Sequence, residues 1–144
     1  MPRDTDRLTA IAATHNGLLT MGEILACGFS RSWVSRRVED KLWQRVHRGV
    51  YATFPQELTW DQKARAALLL VGAQAALSHW SAGFLHGLTR DEPKTIDVSV
   101  SHRLRVRPSA GVVIHRVRRT LAMTGDPHRT ILTDTALDLV DAAA

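Results

Sequence analysis

The stretch from Gly28 to Thr53, GFSRSWVSRRVEDKLWQRVHRGVYAT, decides how the chain is read. A glycine that can close a helix is followed at once by a serine that can open the next. The segment after Ser30 places Val34 and Val38 four residues apart, on one helical face. Ser32, Arg36 and Glu39 fall on the opposite face, with Arg31 and Ser35 on its flank near the start. Two apolar-rich arms then surround His47-Arg48-Gly49: Leu42, Trp43 and Val46 lead in, and Val50, Tyr51 and Ala52 lead out. This pattern predicts a β-hairpin, with Gly49 supplying a positive φ at the turn.

Upstream, residues 4–15 read as a helix carrying Leu8, Ile11 and Ala12 at helical spacing, ended by Asn16-Gly17. Thr20 and Glu23 have the spacing of a capping box. Leu19 and Ile24 stand in hydrophobic-staple positions around it. The short helix that follows ends at Gly28, and Phe29 is placed to fold back on its last turn. Helix, helix, basic helix and hairpin is the order of a winged helix-turn-helix.

Charge supports that order. Residues 31–48 hold Arg31, Arg36, Arg37, Lys41, Arg45 and Arg48 against only Glu39 and Asp40. The whole chain of 144 residues carries a formal net charge of +5, and its isoelectric point is near 10.3. A basic balance of this kind favours polyanionic partners. The expected contact is double-stranded DNA. Ser32, Ser35 and Arg36 would stand near base edges in the major groove. Arg31, Arg37 and Lys41 would meet phosphates, and Arg45, His47 and Arg48 would lie on the wing. Trp33 is expected to pack inward rather than to meet DNA.

Phe54-Pro55-Gln56-Glu57 breaks the pattern and reads as a linker. Residues 1–54 are therefore expected to form one domain and residues 59–144 a second, incomplete one. In the second, Thr59 and Gln62 form another capping box before the helix WDQKARAALLLV. Ala75–Leu77 reads as a short strand, and Ser78 as the cap of a helix closed by Gly87. Ile96, Val98 and Val100 alternate with Thr95, Asp97 and Ser99, which predicts a strand with one buried face. Gly111–Val117 reads as another strand, joined to it by the arginine-rich SHRLRVRPSA. LTDTALDLVDAAA reads as a helix with no stop signal, so a continuation past Ala144 is expected. The fold class is thus α+β: an N-terminal winged helix-turn-helix, then helices packed on a short sheet, truncated at the C-terminus.

Composition narrows the classes of function. At 44% hydrophobic and 23% charged, the chain is that of a folded protein. Cys27 is the single cysteine, so no internal disulfide forms. MPRDTDRLT lacks the apolar core of a signal peptide, and LLLVGAQAAL is too short to span a bilayer. No membrane association and a cytoplasmic location are expected.

Residue chemistry offers little sign of catalysis. Ser78, His79, Ser81 and His86 include two histidines seven apart, not the i, i+4 pair of a helical zinc site. Glu92-Pro93-Lys94 with Asp97 supplies only part of a metal-dependent nuclease set, and 88–94 reads as a surface turn. No Gly-x-Ser-x-Gly elbow is present. No enzyme activity, cofactor or metal is expected. Arg103, Arg105, Arg107, Arg116, Arg118 and Arg119 form a second basic stretch without acids. It suits a second DNA contact, an acidic partner or a wet strand face.

Several stretches together resemble the AbiEi-type antitoxins, transcriptional regulators of type IV toxin–antitoxin modules. These are GLLTMGEILACGFSRSWVSRRV, LWQRVHRGVYAT, ALSHWSAGFLHGL, IDVSV, GVVIHR and PHRTILTDTALDLV. The resemblance implies a winged helix-turn-helix that binds promoter DNA and represses its own operon. It also implies a following domain that in several members counteracts a nucleotidyltransferase toxin. In some relatives the chain continues into a domain similar to very-short-patch-repair endonucleases. Two other readings are the DNA-targeting part of an endonuclease-like protein and a toxin-binding module.

Overall fold

The computed structural model describes residues 2–118. The expected terminal helix, the PHRTILTDTALDLV stretch and Arg119 lie outside the described residues. The described elements are α1 (Thr5–Thr14), β1 (Leu18–Thr20), α2 (Met21–Ala26), α3 (Arg31–Glu39), β2 (Gln44–His47), β3 (Val50–Ala52), α4 (Trp60–Val71), β4 (Ala76–Leu77), α5 (His79–Leu85), β5 (Ile96–Ser101) and β6 (Val112–Val117). The chain divides into two compact units, Met1–Leu70 and Val71–Ala144. The class is α+β.

In the first unit each helix start is written in a side chain. The Asp4 carboxylate accepts from the Arg7 N–H at the head of α1. At α2 the capping box is complete. Thr20 Oγ1 accepts from the Glu23 N–H at 3.2 Å, and Glu23 Oε1 accepts from the Thr20 N–H at 2.8 Å. Ser30 Oγ accepts from the Trp33 N–H at 3.1 Å and opens α3. Each such cap contributes about 1 kcal/mol.

Between α2 and α3 the chain makes a Schellman closure. Gly28 N–H donates to Leu25 O at 3.0 Å and Phe29 N–H to Ile24 O at 3.4 Å. Gly28 has φ +89°, and a Cβ there would stand 2.5 Å from Pro2 O. Conformation and space both demand glycine, because the N-terminal segment crosses the turn and the Asp4 N–H donates to Cys27 O. Phe29 then folds into a core with Leu8, Leu19, Ile24, Cys27 and Val34. Burying each of the larger aliphatic side chains contributes roughly 1.5–3 kcal/mol.

β1, β3 and β2 form an antiparallel sheet in that order. Leu19 pairs with Tyr51 on the face that packs against the three helices. Leu18, Val50 and Ala52 line the other face, where they meet Ala66 of α4, with Val46, Leu69 and Leu70 packed around them. The small sheet is therefore covered on both faces. α4, which the sequence places at the head of the second region, lies in the first compact unit except for its last residue, Val71. The capping box at its start is formed, with Thr59 N–H donating to Gln62 Oε1 and Gln62 N–H to Thr59 Oγ1.

In the second unit β5 lies between β4, antiparallel to it, and β6, parallel to it. A strand with one wet face is expected from the alternation of Asp97 and Ser99 with Ile96, Val98 and Val100. Instead all five residues from Ile96 to Val100 are buried. Position explains the difference: a central strand is covered on both sides, and its polar side chains are satisfied internally.

Candidate nucleic-acid interface

α3 packs against β2. The joint between them is tight, because the N–H groups of Leu42 and Trp43 both donate to Arg37 O. Lys41 takes φ +59° in this turn. The basic helix and the hairpin consequently stand side by side.

On α3, Val34 is buried and Val38 half-buried, while Arg31, Ser32, Ser35, Arg36 and Glu39 are exposed. The outward face begins with a cation and two hydroxyls, as the spacing implies. Trp33 packs inward: its ring lies 4.3 Å from Phe29 and meets Trp43 edge-on at 5.2 Å. Arg37, expected to meet phosphate, packs on Trp33. It is half-buried, with its guanidinium carbon 4.4 Å from the Trp33 ring centroid. The cation covers the indole face and is held there by the ring's negative quadrupole.

The hairpin carries Arg45 and Arg48 outward and hides His47. Strict alternation would set Arg45 and His47 on the same face. A bulge between them shifts the register: Arg45 opposes Tyr51, and His47 opposes Val50. His47 thereby joins the α4 side of the sheet and is 9% exposed. Burial lowers its pKa below the ordinary histidine value. Its side chain is thus buried within the hairpin that was expected to carry it on the wing.

The wing itself is short. Arg48 and Gly49 alone form its tip, and Gly49 has φ +74° with open space around it. Gly49 O accepts from the Met21 N–H, which pins the tip to the start of α2. Arg31, Arg36, Lys41, Arg45 and Arg48 are all exposed, and none has a carboxylate partner among the described residues. These cations lie on α3 (Arg31, Arg36), in the turn that follows it (Lys41) and on the hairpin (Arg45, Arg48).

The second unit holds a polar cluster that the sequence places poorly. Ser78 stands at the N-cap of α5 but makes no capping bond. Its Oγ lies 2.7 Å from Ser99 Oγ and 2.9 Å from His79 Nδ1. Ser81 Oγ accepts from the Asp97 N–H, and His115 Nε2 lies 2.9 Å from Asp97 Oδ1. His79, at φ +52°, stacks on His115 with ring centroids 3.7 Å apart. His86 is the C-cap of α5. Glu92, Lys94 and Asp97 border one groove of about 420 Å³, beside the exposed Trp80. Among the described residues no group of three or more His, Cys, Asp or Glu is placed to hold a metal ion. None of the described helices is long and apolar enough to cross a membrane.

The order α1-β1-α2-α3-β2-β3, with α3 beside a two-stranded ribbon, defines a winged helix-turn-helix. Over residues 6–53 the chain matches the family model described as transcriptional regulator, AbiEi antitoxin. The resemblance read from the residues is borne out on that stretch, which contains α3 and the hairpin. No curated protein matches the chain.

Proposed function

We propose that this protein is a DNA-binding transcriptional regulator that acts as the autorepressing antitoxin of a type IV toxin–antitoxin module in the cytoplasm. Residues 1–54 contact duplex DNA at a promoter. Residues 59–144 contribute the antitoxin-like part, whose partner is a nucleotidyltransferase toxin. No catalysis is assigned to the chain. The observation that carries the reading is a set of exposed cations on the first unit, Arg31, Arg36, Lys41, Arg45 and Arg48, on α3 and the hairpin beside it, with no acid partner among the described residues.

The mechanism follows from what each side chain can do. Arg36, with Ser32 and Ser35 beside it, enters the major groove. A bidentate guanidinium–guanine contact discriminates by roughly 1–3 kcal/mol. Arg31 and Lys41 meet phosphate and set the register, and Arg45 and Arg48 hold the adjacent backbone. Arg37 and His47, engaged in packing, contribute through the fold. Occupying the promoter of its own operon would exclude polymerase and couple the amount of protein to its synthesis.

The test is fluorescence anisotropy of the full chain with the duplex upstream of its gene and with a scrambled duplex. Preferential, salt-sensitive binding of the upstream duplex is expected, with an Arg36→Ala/Arg48→Ala variant much weaker. Equal binding by wild type and that variant would defeat the assignment.

A further inference from the structure

The groove beside Trp80 differs in charge from the chain around it. The chain carries a formal net charge of +5. The groove instead sets three carboxylates, Asp91, Glu92 and Asp97, against two cations, Arg90 and Lys94. Arg90, Asp91, Glu92 and Lys94 are all exposed and close in sequence, so their charges offset one another in solvent. That leaves Asp97 as the charge that decides what enters.

Asp97 stands on β5, the central strand of the second sheet, and is only 8% exposed. Its N–H donates to Ser81 Oγ, and its Oδ1 lies 2.9 Å from His115 Nε2. The carboxylate is thereby fixed in orientation. Its other oxygen, Oδ2, has no hydrogen-bond partner among the described residues. An oxygen so placed is costly unless a donor reaches it. Thr89 lines the same groove, and its Oγ1 is buried without a hydrogen-bond partner among the described residues. Rotation about its χ1 bond offers that hydroxyl to a donor in the groove. Trp80 is 43% exposed, so its ring is open to a ligand.

A ligand that suits these groups is positively charged, donates N–H groups and is flat enough to lie on an indole. A guanidinium has all of these properties: it is planar, weakly hydrated and rich in donors, and it stacks on aromatic faces. An ammonium brings charge and donors but no flat face. A phosphate-bearing ligand brings the wrong sign of charge.

We propose that this groove receives an arginine side chain of a partner protein, stacked on Trp80 and held through Asp97 Oδ2, with Thr89 Oγ1 as a further acceptor. His115 acts as a positioning residue for the carboxylate. The site uses none of the residues assigned to DNA, so it stands or falls apart from that reading.

The test is titration of the full chain with the capped peptide acetyl-Gly-Arg-Gly-amide at constant ionic strength, followed through the backbone amide resonances of residues 89–97. A saturable shift is expected, several-fold weaker for the lysine peptide and absent for the glutamate peptide. Asp97→Asn should weaken the arginine peptide by about tenfold or more. Trp80→Ala should weaken it by about two- to fivefold, and Trp80→Phe should recover most of that loss. If Asp97→Asn fails to fold, the exposed Trp80 carries the test through its two variants. The absence of a saturable shift would overturn the proposal, as would equal affinity for the arginine and lysine peptides or unchanged binding by a folded Trp80→Ala variant. Tighter binding of ethylguanidinium than of the peptide would overturn the assignment to a partner protein and make the groove a small-molecule site.

Discussion

The guanidinium of Arg37 lies 4.4 Å from the ring centroid of Trp33, while Arg36, its neighbour in α3, stands exposed and, among the described residues, without an acid partner. Adjacent residues of one type therefore have different tasks. Replacing Arg37 by alanine removes the cation from the indole face and uncovers apolar surface. A loss of about 1 kcal/mol of stability is expected in urea melts, with the preference among DNA sequences kept. Replacing Arg36 by alanine should leave the melt unchanged and cost roughly 1–3 kcal/mol of discrimination between upstream and scrambled duplex.

Two glycines distinguish conformation from space. Gly49 has φ +74° and nothing near its missing Cβ, whereas Gly28 has φ +89° and Pro2 O at 2.5 Å. Gly49→Ala should cost about 1 kcal/mol from the backbone alone. Gly28→Ala must also displace the N-terminal segment that donates from Asp4 to Cys27 O. A loss of more than about 2 kcal/mol is expected. Equal melts for the two variants would contradict this.

His47 makes the hairpin sensitive to acid. Its folded pKa is lowered by burial, so in the window just below the ordinary value of 6.5 the unfolded chain binds more protons than the folded one. Its contribution is present above that value and is lost as pH falls through it towards the folded pKa. Wild type should lose stability on acidification through this window, and His47→Gln should show a flatter profile in denaturant melts at matched ionic strength.

The capping box offers a cheaper perturbation. Thr20→Ala removes the acceptor for the Glu23 N–H and the reciprocal geometry that brings Glu23 Oε1 to Thr20 N–H. A loss of about 1 kcal/mol is expected, with Thr20→Ser largely neutral.

Much of the first unit was legible because its instructions are local. Thr20 with Glu23, Ser30 before α3, Gly28 and Gly49 each act within a few residues, and the structure uses all of them. β1 escaped notice because three residues, Leu18–Thr20, are too few to show alternation; its pairing with β3 supplies the evidence. The burial of His47 is not legible in the sequence because the register shift between Arg45 and His47 reverses which face the side chain takes. Arg37 carries the same letter as Arg36, and only the position of Trp33 separates them. In the second unit Ser78 occupies a cap position yet bonds Ser99, twenty-one residues on, a non-local choice that spacing does not encode. The parallel pairing of β5 with β6 has the same origin.

The central claim is spatial: one duplex is met by the open face of α3 and by the tip of the hairpin beside it. The most direct measurement is backbone amide NMR of the full chain during titration with the upstream duplex. Shifts concentrated at Arg31, Ser32, Ser35, Arg36, Lys41, Arg45 and Arg48 are the expected result, with Leu8, Ile24 and Val34 nearly still. Binding that left α3 and the hairpin unshifted, while perturbing other surfaces of residues 2–70, would contradict it.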